Sequence, residues 1–255
     1  MTFSTLLHFL PAIGLGAALG FFGGLFGIGG GIIAIPLLVI GFGMEQPLAQ
    51  GTALVLMVPN LLVGWWRYSQ RHPADWRSAL AIAAPAALTT WGLAHFATRL
   101  DPLLLRGLFA AFLGLLALRL LWSGRAAAGV ASVPLRPGAL PLVGIAGGCS
   151  MGLLGIGGGL VATPLLSGWL GQRQTVAQSL ALALVAPSSV VALATYAGAQ
   201  RVDWSLGLPL ALGGLVTVSA GVGLAHRLPE RRLRAAFAWM LAATAVWLAL
   251  APFLG

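Results

Sequence analysis

The residues with the clearest chemical potential in this chain are two glycine runs, Gly27-Ile28-Gly29-Gly30-Gly31 and Gly155-Ile156-Gly157-Gly158-Gly159. Each stands in an apolar stretch and is followed shortly by a proline, Pro36 or Pro164. Such runs can unwind a helix and free main-chain N–H groups. Those groups, with the N-terminus of the half-helix that follows, attract negative charge. At membrane depth, irregular backbone is tolerated only where it faces protein or a polar cavity. The same break in both halves of a chain is therefore a pointer to a central binding site. The plainer reading is close packing, because small residues let helix backbones approach in lipid. A dinucleotide loop is excluded, since neither a βαβ pattern nor a suitably spaced acidic residue accompanies the glycines.

A second pair of segments repeats the theme: AQGTALVLMVPN at 49–60 and AQSLALALVAPS at 177–188. Gln50 and Gln178 stand near the start, and Pro59-Asn60 and Pro187-Ser188-Ser189 follow further along. Each proline removes a backbone donor and leaves a carbonyl free nearby. Asn60, Ser188 and Ser189 offer uncharged hydrogen bonds; a kink tolerated by neighbouring helices is the competing reading. The expected binding set is thus Gly27, Gly29, Gly30, Gly31, Gln50, Pro59, Asn60, Gly155, Gly157, Gly158, Gly159, Gln178, Pro187, Ser188 and Ser189.

What is missing narrows the chemistry. All five acidic residues, Glu45, Asp75, Asp101, Asp203 and Glu230, fall in or beside expected loops. A cation pathway or carboxylate proton relay needs an ionisable group inside a span, so a neutral, donor-rich lining suits a small anion better. Asp75-Trp76 and Asp203-Trp204 read as a helix N-cap beside an interfacial tryptophan. His8 and His95 read as interfacial hydrogen-bonders, and Cys149 as a small packing residue. No catalytic dyad, metal-ligand set or nucleotide motif is evident, so an enzyme is not expected and no cofactor is implied.

The elements that must hold these residues follow from composition. Of 255 residues, 59% are hydrophobic and 7% are charged. A soluble domain carries about 25% charged residues, so lipid must be the solvent for most of this surface. The net charge of +9 comes from arginines in short gaps between apolar runs, a pattern that orients a membrane protein rather than one that binds nucleic acid. GLFGIGGGIIAIPLL at 24–38 returns as GLLGIGGGLVATPLL at 152–166, identical at 11 of 15 positions and shifted by 128. The register continues from Tyr68 to Tyr196 and from Arg106 to Arg234. The chain is a duplication.

Five apolar segments per unit are expected, near 5–22, 25–41, 50–66, 77–97 and 103–122, then 139–154, 157–170, 178–198, 205–225 and 233–252. The first two of each unit form either two spans or a pair of half-depth helices. The fold expected is an all-α polytopic membrane protein with about eight to ten transmembrane or half-membrane helices. An N-terminus outside and inverted repeats put Arg67, Arg71, Arg77, Arg119, Arg125, Arg136, Arg173, Arg227, Arg231, Arg232 and Arg234 in the cytoplasm. Only Arg99, Arg106 and Arg201 remain outside. The positive-inside rule therefore favours inverted, pseudo-symmetric repeats with both termini on the outer face of a bacterial-type inner membrane. The organisation expected is a first repeat at 1–122, a cytoplasmic linker at 123–138 and a second repeat at 139–255.

The paired G-[LF]-x-G-I-G-G-G-x(4)-P-L-L motifs, with the Ala-Gln opening of the third segment, resemble the TauE/SafE sulfite-exporter family of membrane permeases over essentially the whole chain. The resemblance implies secondary transport of sulfite, sulfonates or other small organosulfur or carboxylate anions by alternating access. It puts the glycine runs, Gln50 and Gln178 near the pathway. A related thiosulfate-uptake group uses several pathway cysteines, whereas this chain has one. The expected partners are a small anion, the lipid bilayer and an ion gradient such as protons to drive transport. A passive anion channel and, further off, an intramembrane enzyme are the alternatives.

Overall fold

The computed structural model describes residues 3–26, 29–71, 75–122, 137–225 and 230–254. Among the described residues the regular structure is helical throughout, with no strand. In the first half the helices are α1 (Phe3–Phe26), α2 (Gly31–Gly41), α3 (Gln46–Arg71), α4 (Trp76–Ala97) and α5 (Pro102–Trp122). A 3-10 turn, Pro137–Ala139, leads into α6 (Leu140–Leu154), and α7 (Gly159–Pro164) widens into a π-helical turn at Leu165–Trp169. The chain ends with α8 (Gln174–Gly198), α9 (Trp204–Ala225) and α10 (Glu230–Leu254). Of the expected linker, residues 123–136 lie outside the described residues, as do Gly27 and Ile28.

By length and composition, five stretches can cross a bilayer: Gln46–Trp66, Trp76–Ala97, Pro102–Trp122, Val176–Gly198 and Trp204–Gly221. Large apolar side chains such as Leu88, Leu115, Val216 and Trp239 point outward, while Gln50, Thr52, Asn60, Thr90, Ser188 and Ser189 are buried. Water would reverse that distribution, so the outward face is made for lipid. The protein is an all-α, multi-pass membrane protein. In α3 and α8 the spanning windows are 67% and 61% buried, against 22% in α4 and 28% in α5. These two helices form the centre.

The question left open by the sequence, whether the second segment spans, is answered by length. Helix α2 has 11 residues, or about 16 Å of rise against a hydrocarbon core of about 30 Å. Alone it is too short to cross the layer. The corresponding stretch in the second half is six α-helical residues followed by five π-helical ones, equally short.

Glycine determines how the halves interlock. Gly16 and Gly20 of α1 lie directly against the backbone of Leu210 and Gly214 in α9. Gly144 and Gly148 of α6 lie against Ile82 and Ala86 of α4 in the same way. Shifting each partner by 128 turns the first pair of contacts into the second, so the duplication in sequence is also an exchange in space. A Cβ at any of these four glycines would strike a main-chain atom, which is the small-residue packing that lipid favours.

The duplicated helices also meet each other. Helix α3 packs on α8, and α5 on α10. Gln50, near the start of α3, meets Tyr196, near the end of α8. Arg106, near the start of α5, donates through Nε to the Leu248 carbonyl near the end of α10. Both encounters are antiparallel. A helix that meets its own duplicate antiparallel is related to it by a two-fold axis lying across the bundle, which is the inverted arrangement. Asp75 accepts from the Ser78 amide at the start of α4, and Asp203 from the Ser205 and Leu206 amides at the start of α9. The two expected N-caps are in place.

Candidate functional site

Both glycine runs interrupt helices. In the first, Gly29 and Gly30 have φ of 70° and 90°, the left-handed region that glycine enters without Cβ strain. In the second, Gly155 has φ of 66° and closes α6 as its C-cap. No side chain caps α2 at Gly30 or α7 at Gly158. Although the two pentapeptides are identical in sequence, their backbones differ: Gly30 has φ of 90°, whereas Gly158 has φ of −53°.

The two breaks converge on one side chain. Gly31 abuts the sulfur of Met57, and a Cβ on Gly157 would lie 3.9 Å from the Met57 methyl and 3.5 Å from Val185. Val185 is the duplicate of Met57, and it also flanks Gly159 at 3.4 Å. Close packing and helix interruption are thus both present, divided among neighbouring glycines. Gly31 is pressed against Met57 and Gly158 against the Gly147 carbonyl, whereas Gly157 and Gly159 have only ordinary contacts.

Polar atoms buried without partners are spread along the two central helices: both amide atoms of Gln46 and Nε2 of Gln50 toward the start of α3, Oδ1 of Asn60 on α3 about 15 Å beyond Gln50, and Oγ of Ser188 on α8. At 100° per residue, Gln46, Gln50, Met57 and Asn60 fall within about 80° of arc on α3. Gln50 reaches the glycine break of the other half, with its Cβ 3.4 Å from where Gly155 would carry one. Its Oε1 accepts from the Tyr196 hydroxyl at 2.6 Å, and that hydroxyl also stands 3.3 Å from the Gly152 carbonyl. A buried polar atom with no partner costs about 1–3 kcal/mol, so each of these positions calls for a reason other than packing.

Not every expected residue contributes in the same way. Helices α3 and α8 run unbroken through Pro59 and Pro187. The Ser189 hydroxyl is occupied, donating to the Ala186 carbonyl at 2.7 Å. Gln178 is half-buried, while Gln50 is wholly buried. Gly27 lies outside the described residues.

The end of the bundle near Gln50 is closed by contacts between halves. Arg201 donates to Glu45 at 2.7 Å, and the Asp203 amide donates to the Thr52 hydroxyl at 3.0 Å. Gly51 abuts the Arg201 carbonyl. The duplicated positions, 173 and 73, carry Arg and Pro, so that ion pair has no counterpart at the opposite end.

Residues 12–248 match the family described as sulfite exporter TauE/SafE. The chain belongs to this family. Among curated relatives, a "Probable membrane transporter protein" of Xylella fastidiosa is 31% identical over 95% of both chains. One of Haemophilus influenzae, with the same description, is 27% identical over 91% of this chain and 94% of its own. One of Methanocaldococcus jannaschii is 28% identical over 66% of this chain and 64% of its own. No solved structure matches significantly. With this family and these relatives, the TauE/SafE chain is a membrane transporter.

Three residues of this candidate site in the TauE/SafE chain were not singled out from the sequence. Gln46 stands one helical turn before Gln50, a spacing that could have flagged it. Tyr196 had served only as a marker of the repeat. Nothing in the sequence distinguishes Met57 from any other apolar residue of α3.

Proposed function

We propose that this protein is a secondary transporter of a small oxyanion or organosulfur anion, such as sulfite or a sulfonate, held between the two glycine breaks. The observation that supports this reading best is the meeting of both glycine breaks at Met57, between the unpartnered polar side chains of Gln50 and Asn60 on the same helix. Gln50 Nε2 and the Ser188 hydroxyl supply donors, and uncapped helix starts add the positive end of a dipole. Of the remaining expected residues, Pro59, Pro187 and Ser189 lie on the two central helices, whereas Gln178 stands about 27 Å along α8 from Tyr196 and so away from Gln50. In keeping with the arginine distribution, both termini face outward from a bacterial-type inner membrane, and the Glu45–Arg201 end is the outer one.

Transport follows from the two-fold exchange. One end is fastened across the halves and the other lacks the equivalent ion pair, so rocking one half against the other would alternate access to a site near the middle. Energy would come from an ion gradient.

Reconstitution tests this reading. Proteoliposomes should take up radiolabelled sulfite or one of sulfoacetate, taurine, thiosulfate and acetate. Unlabelled anion trapped inside should drive labelled anion inward by counterflow. Uptake without counterflow would mark a passive channel, and absence of uptake for the whole series would reject the anion reading.

A further inference from the structure

Resting on the reading of Gln50 as a donor to the anion, we propose that Tyr196 is a positioning residue that turns the Gln50 amide so that its NH₂ group, and not its oxygen, meets the substrate. A glutamine amide is ambivalent. Its two ends are nearly the same size, one accepting and the other donating, and only its surroundings decide which way it faces. For an anion the difference is between attraction and repulsion.

The geometry makes the choice. Tyr196 is fully buried on α8 and its hydroxyl carries one proton. That hydroxyl is 2.6 Å from Gln50 Oε1 and 3.3 Å from the Gly152 carbonyl, so the shorter contact takes the proton. With its oxygen held, Gln50 presents Nε2, which is buried and has no partner. The aliphatic part of Gln50 lies against Gly155, which puts the amide at the interrupted stretch of the second half. The Gly152 carbonyl, one turn before that interruption, is near enough to help fix the hydroxyl. One phenol thus ties α3, α6 and α8 together at the break and converts a two-faced amide into a donor. The substrate class this favours is an oxyanion rich in acceptors, such as a sulfonate or sulfite, over a neutral ligand that needs an acceptor.

The test is a double-mutant cycle on purified protein in lipid nanodiscs, titrated calorimetrically with sulfite, sulfoacetate, taurine, thiosulfate and acetate, with melting temperatures measured in parallel. For the anion that wild type binds, Tyr196→Phe should weaken binding about tenfold or more, the scale of one hydrogen bond to a charged group. Gln50→Met should weaken it at least as much. Adding Tyr196→Phe to Gln50→Met should then change binding little, because the tyrosine acts through the amide. Gln50→Glu keeps an oxygen for Tyr196 but replaces the donor with a second oxygen, and should abolish binding without loss of the folded state. This arm stands even where Tyr196→Phe folds poorly.

The outcomes separate the two ideas. If wild type binds none of the five anions, or Gln50→Met binds as wild type does, the site itself is wrong. If Gln50→Met loses binding while Tyr196→Phe keeps it, or the two losses multiply in the double variant, the site stands and the role given to Tyr196 falls. Undiminished binding by Gln50→Glu also overturns the donor orientation.

Discussion

Gly157→Ala separates the binding role of the glycine breaks from their packing role. A Cβ at this position would sit 3.5 Å from Val185 Cγ1 and 3.9 Å from the Met57 methyl, both ordinary van der Waals distances. Its backbone is not among those with positive φ, so alanine meets no conformational penalty. Restricting the unfolded chain favours the variant by about 0.4–1 kcal/mol, and the melting temperature should hold or rise slightly. Binding should respond differently. An oxyanion accepting from a peptide N–H needs about 2.9 Å between heavy atoms, and at 3.6 Å no hydrogen bond remains. A methyl group over the peptide forces that retreat. Losing one charge-assisted bond of about 1.5–3 kcal/mol lowers affinity roughly tenfold to a hundredfold. Initial uptake by proteoliposomes at low substrate, beside thermal unfolding of the same preparation, reads both effects. Wild-type uptake by a stable Gly157→Ala protein would refute the claim that the substrate touches this backbone. The neighbouring glycines give less decisive tests. Gly29 has φ of 70°, and a Cβ on Gly31 would collide with Met57, so substitutions there mix strain with function.

Further perturbations have equally definite outcomes. Arg201→Ala removes an ion pair whose partners are 37% and 58% exposed; stability should fall by no more than about 1 kcal/mol. Since that amount shifts a two-state equilibrium about fivefold, a cysteine introduced at Thr52 should react faster with a membrane-impermeant maleimide, and an unchanged rate would show that the pair does not hold this end shut. Gly148→Val should destabilise the protein by several kcal/mol, because even a Cβ there collides with Ala86 and Thr89. Gly92→Ala, with nothing within 4 Å, should melt within about 1 kcal/mol of wild type, and a similar loss in both would remove the packing argument. Asp75→Ala should cost about 1 kcal/mol through the lost N-cap on α4, with transport rates little altered.

The sequence revealed those features that follow a period or a repeat. Segment positions came from apolar length, and the inverted arrangement from the places where arginines fall. Both glycine breaks were visible because the same pentapeptide occurs twice. Gln50 and Asn60 were legible as polar residues in apolar surroundings. Harder to see was anything created by helices distant in sequence. The Tyr196–Gln50 bond joins positions 146 residues apart, and no local pattern announces it. Met57 becomes distinctive only when the two glycine breaks are brought against it. Ser189, which resembles Ser188 in sequence, turns its hydroxyl back onto its own helix, a choice made by rotamer and packing. Whether α2 is long enough to span was left open because hydropathy measures apolar length and cannot tell where a helix stops.

The last three glycines of two identical runs rest in two different shapes within a single molecule, so local sequence dictates neither. Only a few peptide rotations separate the shapes, and glycine makes those rotations inexpensive. If the halves traded shapes, the result would be the present arrangement turned over end for end, unfastened where it is now sealed, without melting any long helix. A second conformer that opened the sealed side while each ribbon kept its present torsions would move the hinge elsewhere.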